Sequence, residues 1–115
     1  MARWSDWYAL TEGVVYNYAP DEPGVYLIAL DNGYGFRYPN GWSEIVYIGS
    51  SPLRSVKERL LEHLTGRGNS CVHRLHQRYR LMFSCMIPES PYDTEQNALD
   101  NFVRTYGDLP RCNEP

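Results

Sequence analysis

Five side chains have the types and spacings to do chemistry together: Tyr26, Tyr47, Arg59, His63 and Glu95. Arg59 and His63 stand four apart, so on a helix they share one side. An arginine there can hold a phosphate through two parallel hydrogen bonds and offset charge that develops during phosphoryl transfer. A histidine can bond a tyrosine hydroxyl or an attacking water. The bland alternative is an exposed pair on a charged helix. On a helical wheel Glu95 falls in line with Leu99, Phe102 and Tyr106, in the middle of an apolar stripe. A carboxylate facing a core is costly unless it has a partner or a metal. It also lies near a helix start, where the dipole favours negative charge. The competing reading is a rim glutamate, salt-bridged or solvated. Tyr26 and Tyr47 carry hydroxyls with an ordinary pKa of about 10. A nearby cation would lower it and make a proton acceptor. In a chain with ten tyrosines, core or rim packing competes with that role.

These residues need elements to hold them. Residues 21–24 are turn material, and residues 25–30 form a strand that residues 31–33 end. Residues 33–42, rich in glycine, proline and aromatic residues, are expected to form a long hairpin loop. Residues 44–48 make a second strand, and a hairpin can join only antiparallel strands. Ser51-Pro52 or Ser55 opens a helix. Ser55 and Glu58 have capping-box spacing, Leu53, Val56, Leu60, Leu61 and Leu64 form its stripe, and Gly66 stops it. Arg59 and His63 lie on one flank of that stripe. Asn69 or Ser70 caps a second helix to about Arg78, a third strand spans 81–87, and the last helix runs from Ser90 to Tyr106 with Gly107 at its end. Trp4, Trp7, Tyr8 and Leu10 are expected in a helical turn covering the core. The order implies an α+β domain, a small three-stranded antiparallel or mixed sheet flanked by about three helices. One domain fills 1–115, with 1–22 an N-terminal extension and 23–113 the core.

The chain of 115 residues carries a net charge of −3. Its distribution is uneven. Residues 1–50 hold two basic and six acidic side chains, residues 51–80 hold seven and two, and residues 81–115 hold two and six. Within the basic island, Arg54, Lys57, Arg67, Arg74 and Arg78 are placed to meet phosphates. The alternative is a solvated helical face. No apolar run is long enough for a membrane span and no apolar signal core follows the N-terminus, so a cytoplasmic or otherwise intracellular protein is expected. Three cysteines, Cys71, Cys85 and Cys112, form no complete disulfide framework and read as unpaired. Cys71, His73 and His76 have no standard zinc spacing.

Gly24-Val25-Tyr26, Tyr47-Ile48-Gly49, Arg59 with His63, Glu95, and Asn113 in Leu-Pro-Arg-Cys-Asn, in that order across residues 23–113, resemble the GIY-YIG nucleases. The resemblance implies a metal-dependent endonuclease that hydrolyses phosphodiester bonds in DNA, double-stranded or branched, with one Mg²⁺ or Mn²⁺. It makes Glu95 the metal ligand and Arg59 the contact to the scissile phosphate. Tyr26 and Tyr47 line the site, and one of them orients or deprotonates the water. His63 supports a tyrosine or a phosphate, and Asn113 closes the site. Gly49 allows close backbone approach. Two features depart from the family. Twenty residues separate Tyr26 from Tyr47, more than is usual, and Ser50-Ser51 stands where relatives often carry a basic residue. Specificity would come from DNA structure or from a partner protein, or be low. The competing class is an inert module of the same fold that binds nucleic acid or protein.

Overall fold

Val25 to Leu30 is buried almost without interruption, which requires cover on both faces rather than one. The computed structural model, which describes residues 3–31 and 33–113, supplies that cover. Asn32, in the expected strand end at 31–33, lies outside the described residues, as do Met1 and Ala2 of the N-terminus. The elements are β1 (Tyr8–Ala9), α1 (Glu12–Tyr18), β2 (Gly24–Leu30), β3 (Phe36–Tyr38), β4 (Gly41–Ser43), β5 (Ile45–Ser51), α2 (Val56–Thr65), α3 (Ser70–Arg78), β6 (Leu81–Met86) and α4 (Pro91–Tyr106). The main sheet has the order β1-β6-β2-β5, and every pairing is antiparallel. The fold is α+β.

Side-chain alternation sorts the two faces. Tyr26, Ile28 and Leu30 point to one core, where they meet Val15 of α1, Val56 and Leu60 of α2, and Val72 and Leu75 of α3. Leu27 and Ile48 point the other way, onto Ala98, Leu99 and Phe102 of α4. The helix ends follow local chemistry. Ser55 Oγ accepts from the Glu58 N–H at 3.1 Å, as a cap should, and donates to the Glu58 carboxylate at 3.3 Å, so the pair closes through the hydroxyl and not through the Ser55 N–H of a full capping box. Asn69 caps α3, Ser90 caps α4 with Pro91 behind it, and Gly66 and Gly107 close α2 and α4 at positive φ.

Four expectations are corrected. The sheet has four strands, not three, plus a separate β3–β4 hairpin, and four helices rather than about three flank it. The segment around Trp4 to Leu10 is no helical turn. It runs extended along β6, with the Ser5 N–H on Cys85 O at 2.8 Å, and the helix starts only after the Thr11 cap. Leu53 is 92% exposed and leaves the α2 stripe, because the helix begins at Ser55, beyond it. Cys71 and Cys112 are joined in a disulfide, with Cα atoms 5.3 Å apart, and Cys85 alone is free and buried. The support that unpaired cysteines lent to a reducing compartment is therefore gone.

The 33–42 segment serves as cover. Tyr38 of β3 is buried, 5.1 Å from Phe102 in an edge-on contact, and its hydroxyl donates to Ile45 O at 3.1 Å. Trp42 and Tyr34 stay exposed. Among the described residues no helix is long and apolar enough to cross a membrane.

Candidate active site

Strand register brings the tyrosines together. Tyr26 lies opposite Gly49, and Tyr47 lies opposite Ile28, so both rings project from one face of the β2–β5 pair. Their centroids are 6.1 Å apart. A Cβ at position 49 would lie 2.7 Å from the Tyr26 hydroxyl and 2.7 Å from the Tyr47 ring. Only glycine leaves room for the pair, as the sequence implied.

Helix α2 crosses above them. Its capped start sets the turn that aims Arg59 and His63 at the tyrosines rather than at solvent. His63 is completely buried, with Nε2 2.8 Å from the Tyr26 hydroxyl. The backbone N–H of Asn69 donates to His63 Nδ1 at 2.9 Å. A backbone N–H can only donate, so Nδ1 carries a lone pair and the proton of the neutral ring sits on Nε2. Burial, aided by the Arg59 charge, pushes the His63 pKa down to about 4, so the ring is neutral at pH 7. His63 therefore donates to Tyr26. Of its two expected supports, tyrosine or phosphate, it takes the tyrosine.

The Arg59 charge and the Tyr47 phenol both lie close enough to act on Tyr26. A hydroxyl has one donor and two acceptor positions. The His63 N–H fills one acceptor position, and Tyr26 has no exposed surface. Tyr47 is only half-buried, with Asn69 and Tyr26 beside its hydroxyl. Of the two tyrosines, only Tyr47 keeps exposed surface.

The expectation that cations lower these tyrosines is corrected. Burial raises both, with the neighbouring phenol second for Tyr26. Arg59 lowers each by less, and the Glu95 charge raises each further. Both are neutral phenols at pH 7.

Glu95 reaches the site from the opposite side of the sheet. Ser50, one step beyond Gly49, points toward α4 and donates to Glu95 Oε1 at 2.9 Å. Glu95 is half-buried at the rim of edge strand β5, not inside the core. The wheel placed it in the stripe correctly, but α4 overhangs the sheet there, so the stripe runs out to an edge. Its other oxygen has no partner among the described residues. A lone carboxylate oxygen beside a hydroxyl suits a hard divalent cation that completes its shell with water and phosphate. It does not suit an all-protein cage, and among the described residues no three acidic, histidine or cysteine side chains cluster. Cys71 is taken up by the disulfide and His76 by Leu10 O.

Asn113 binds β5 like an added strand. Its Oδ1 accepts from the Ile48 N–H at 2.9 Å and its Nδ2 donates to Ile48 O at 2.8 Å. It thereby fixes the backbone between Tyr47 and Gly49.

The basic side chains divide. Arg54 and Arg59 both pair with Glu62, whose carboxyl they hold down to about 2. Lys57 lies over the Tyr16 ring, Arg67 bonds Thr65, and Arg78 lies over Tyr79. These groups have different neighbours and form no single patch with the site. Three contributors escaped the sequence reading. Glu62 steers Arg59, and its position three residues after Arg59 is a usable signal. Asn69 was visible only as a cap. Gly68 matters because a Cβ there would sit 2.5 Å from His63 Nδ1, a contact that only the folded loop creates. Comparison of the chain with family models, with curated proteins and with solved structures finds no match.

Proposed function

We propose that this protein is a divalent-metal-dependent endonuclease of the GIY-YIG type, acting on phosphodiester bonds in DNA. The observation that carries the reading is the convergence of Tyr26, Tyr47, Arg59 and His63 in one cluster, with His63 bonded to Tyr26, at a sheet edge where the Glu95 charge is felt. These are the side chains that matched the family pattern, and they lie far apart in sequence.

In this reading Glu95 holds one Mg²⁺ or Mn²⁺, which when bound supplies positive charge to offset that on the reacting phosphate. The chain's own residues do the rest. Arg59, steered by Glu62 and Tyr26, presents its remaining N–H groups to the scissile phosphate. His63 donates to the Tyr26 oxygen, which leaves the Tyr26 hydrogen to point toward the neighbouring Tyr47. Tyr47 is the tyrosine that meets the attacking water, and as a neutral phenol it orients that water. Tyr26 is a positioning residue. Gly49 and Asn113 hold the strand between them.

The test is a panel of supercoiled, branched, flapped and single-stranded DNA with Mg²⁺, with Mn²⁺ and with EDTA. Metal-dependent cutting that Arg59→Ala slows at least about 100-fold is expected. DNA bound but left intact under every condition would favour the inert module instead.

A further inference from the structure

We infer that the cleft between the start of α3 and the C-terminal segment is a subsite for the phosphate backbone of a nucleic-acid strand, with Arg74 and Arg111 as its cationic walls. The inference rests on the nucleic-acid reading above and deepens it.

The cleft measures about 490 Å³ and is lined by Asn69, Ser70, Cys71, Arg74, Arg111 and Cys112, with no carboxylate among them. Both arginines are exposed, and among the described residues neither forms an ion pair. Arg54 and Arg59, by contrast, share one glutamate. Asp108 lines an adjoining hollow with Arg111 but is not paired with it.

Arg111 is held ready. Its guanidinium lies 4.2 Å from the centre of the Phe36 ring, and its N–H donates to the Tyr38 hydroxyl at 3.0 Å. Cys112 anchors the next step by the disulfide and by its N–H on Val46 O at 2.8 Å. A guanidinium stacked on a ring keeps its N–H edge open for planar recognition of phosphate. Asn69 joins the cleft to the site: its N–H holds His63, and its side chain bonds Cys112 O at 3.0 Å. A strand with one phosphate at Arg59 thus finds its next unpaired cations across Asn69.

The experiment is fluorescence anisotropy of labelled single-stranded and duplex oligonucleotides with the full chain in EDTA, across a salt series, beside a cutting assay with metal. Arg74→Gln and Arg111→Gln should each weaken binding about fivefold and reduce the salt slope by about 1, additively in the double variant. Arg74→Lys should keep the slope, and Arg3→Gln, by the opposite sheet edge, should bind as the unaltered chain does. If both glutamine variants bind with unchanged affinity and slope, the subsite is wrong, while the nuclease reading survives wherever the chain cuts. Binding lost in the variants of a chain that never cuts would support the subsite and remove the nuclease reading. A chain that neither binds nor cuts overturns both.

Discussion

Tyr26 and Tyr47 stand side by side, yet they belong to different environments. Tyr26 is on the central strand, closed off by α2, and its hydroxyl takes the His63 N–H. Tyr47 is on the edge strand, half-buried, close to Glu95, Ser50 and the C-terminal segment. The comparison teaches that one tyrosine can be part of the scaffold while its twin stays open to solvent, and that strand position decides which. The dry centre should answer to stability measurements and the wet edge to activity measurements.

The largest expected effect comes from cutting the tether that holds the wet edge. Cys112→Ser opens a link between residues 41 apart in sequence. It should cost about 3–4 kcal/mol in denaturant unfolding. The unaltered chain should fall to the same stability with reductant, and the variant should be insensitive to it.

Gly49→Val strikes both regions, since the new Cβ would enter both tyrosine rings. A loss of about 3 kcal/mol in a thermal melt is expected, the upper range for overpacking. A melt unchanged from the unaltered chain would mean that the rings are not packed as described.

Acid should attack the dry centre selectively. Burial holds the folded-state pKa of His63 down from its ordinary 6.5 to about 4. Between those values the unfolded chain takes up a proton that the folded chain refuses. The stability is therefore present above pH 6.5 and lost as pH falls toward 4, on the order of 3 kcal/mol. Urea unfolding at pH 7 and pH 4.5 measures it, and His63→Gln should flatten this part of the dependence.

Paired removal of the hydroxyls sharpens the contrast most. Tyr47→Phe should slow cutting about 100-fold at a stability cost under about 1 kcal/mol. Tyr26→Phe leaves the buried His63 N–H without its acceptor and should cost about 1–3 kcal/mol of stability, with a smaller effect on rate per folded molecule. Equal rate losses for the two would remove the distinction.

Much of this was legible in the sequence because it is local. Ser55, Asn69, Ser90, Gly66 and Gly107 marked helix ends through backbone hydrogen bonding, and the ordered tripeptides with Arg59, His63 and Glu95 placed the cluster. What was hidden depends on long-range contact. The two-residue strand β1 has too few residues to show a period, and α1 has only seven. The Cys71–Cys112 bond follows from the C-terminal segment returning to α3, which an odd cysteine count obscured. Which tyrosine faces water depends on strand order, and the rise in both tyrosines follows from burial that spacing does not reveal.

The most direct test of the central claim is the nicking rate of supercoiled DNA against Mn²⁺ concentration for the unaltered chain and Glu95→Gln. Glu95 is half-buried with a single hydrogen bond, so the variant should fold as before. The account predicts saturable metal-dependent nicking that falls at least about 100-fold in the variant. Equal nicking by the two proteins at every metal concentration would contradict it.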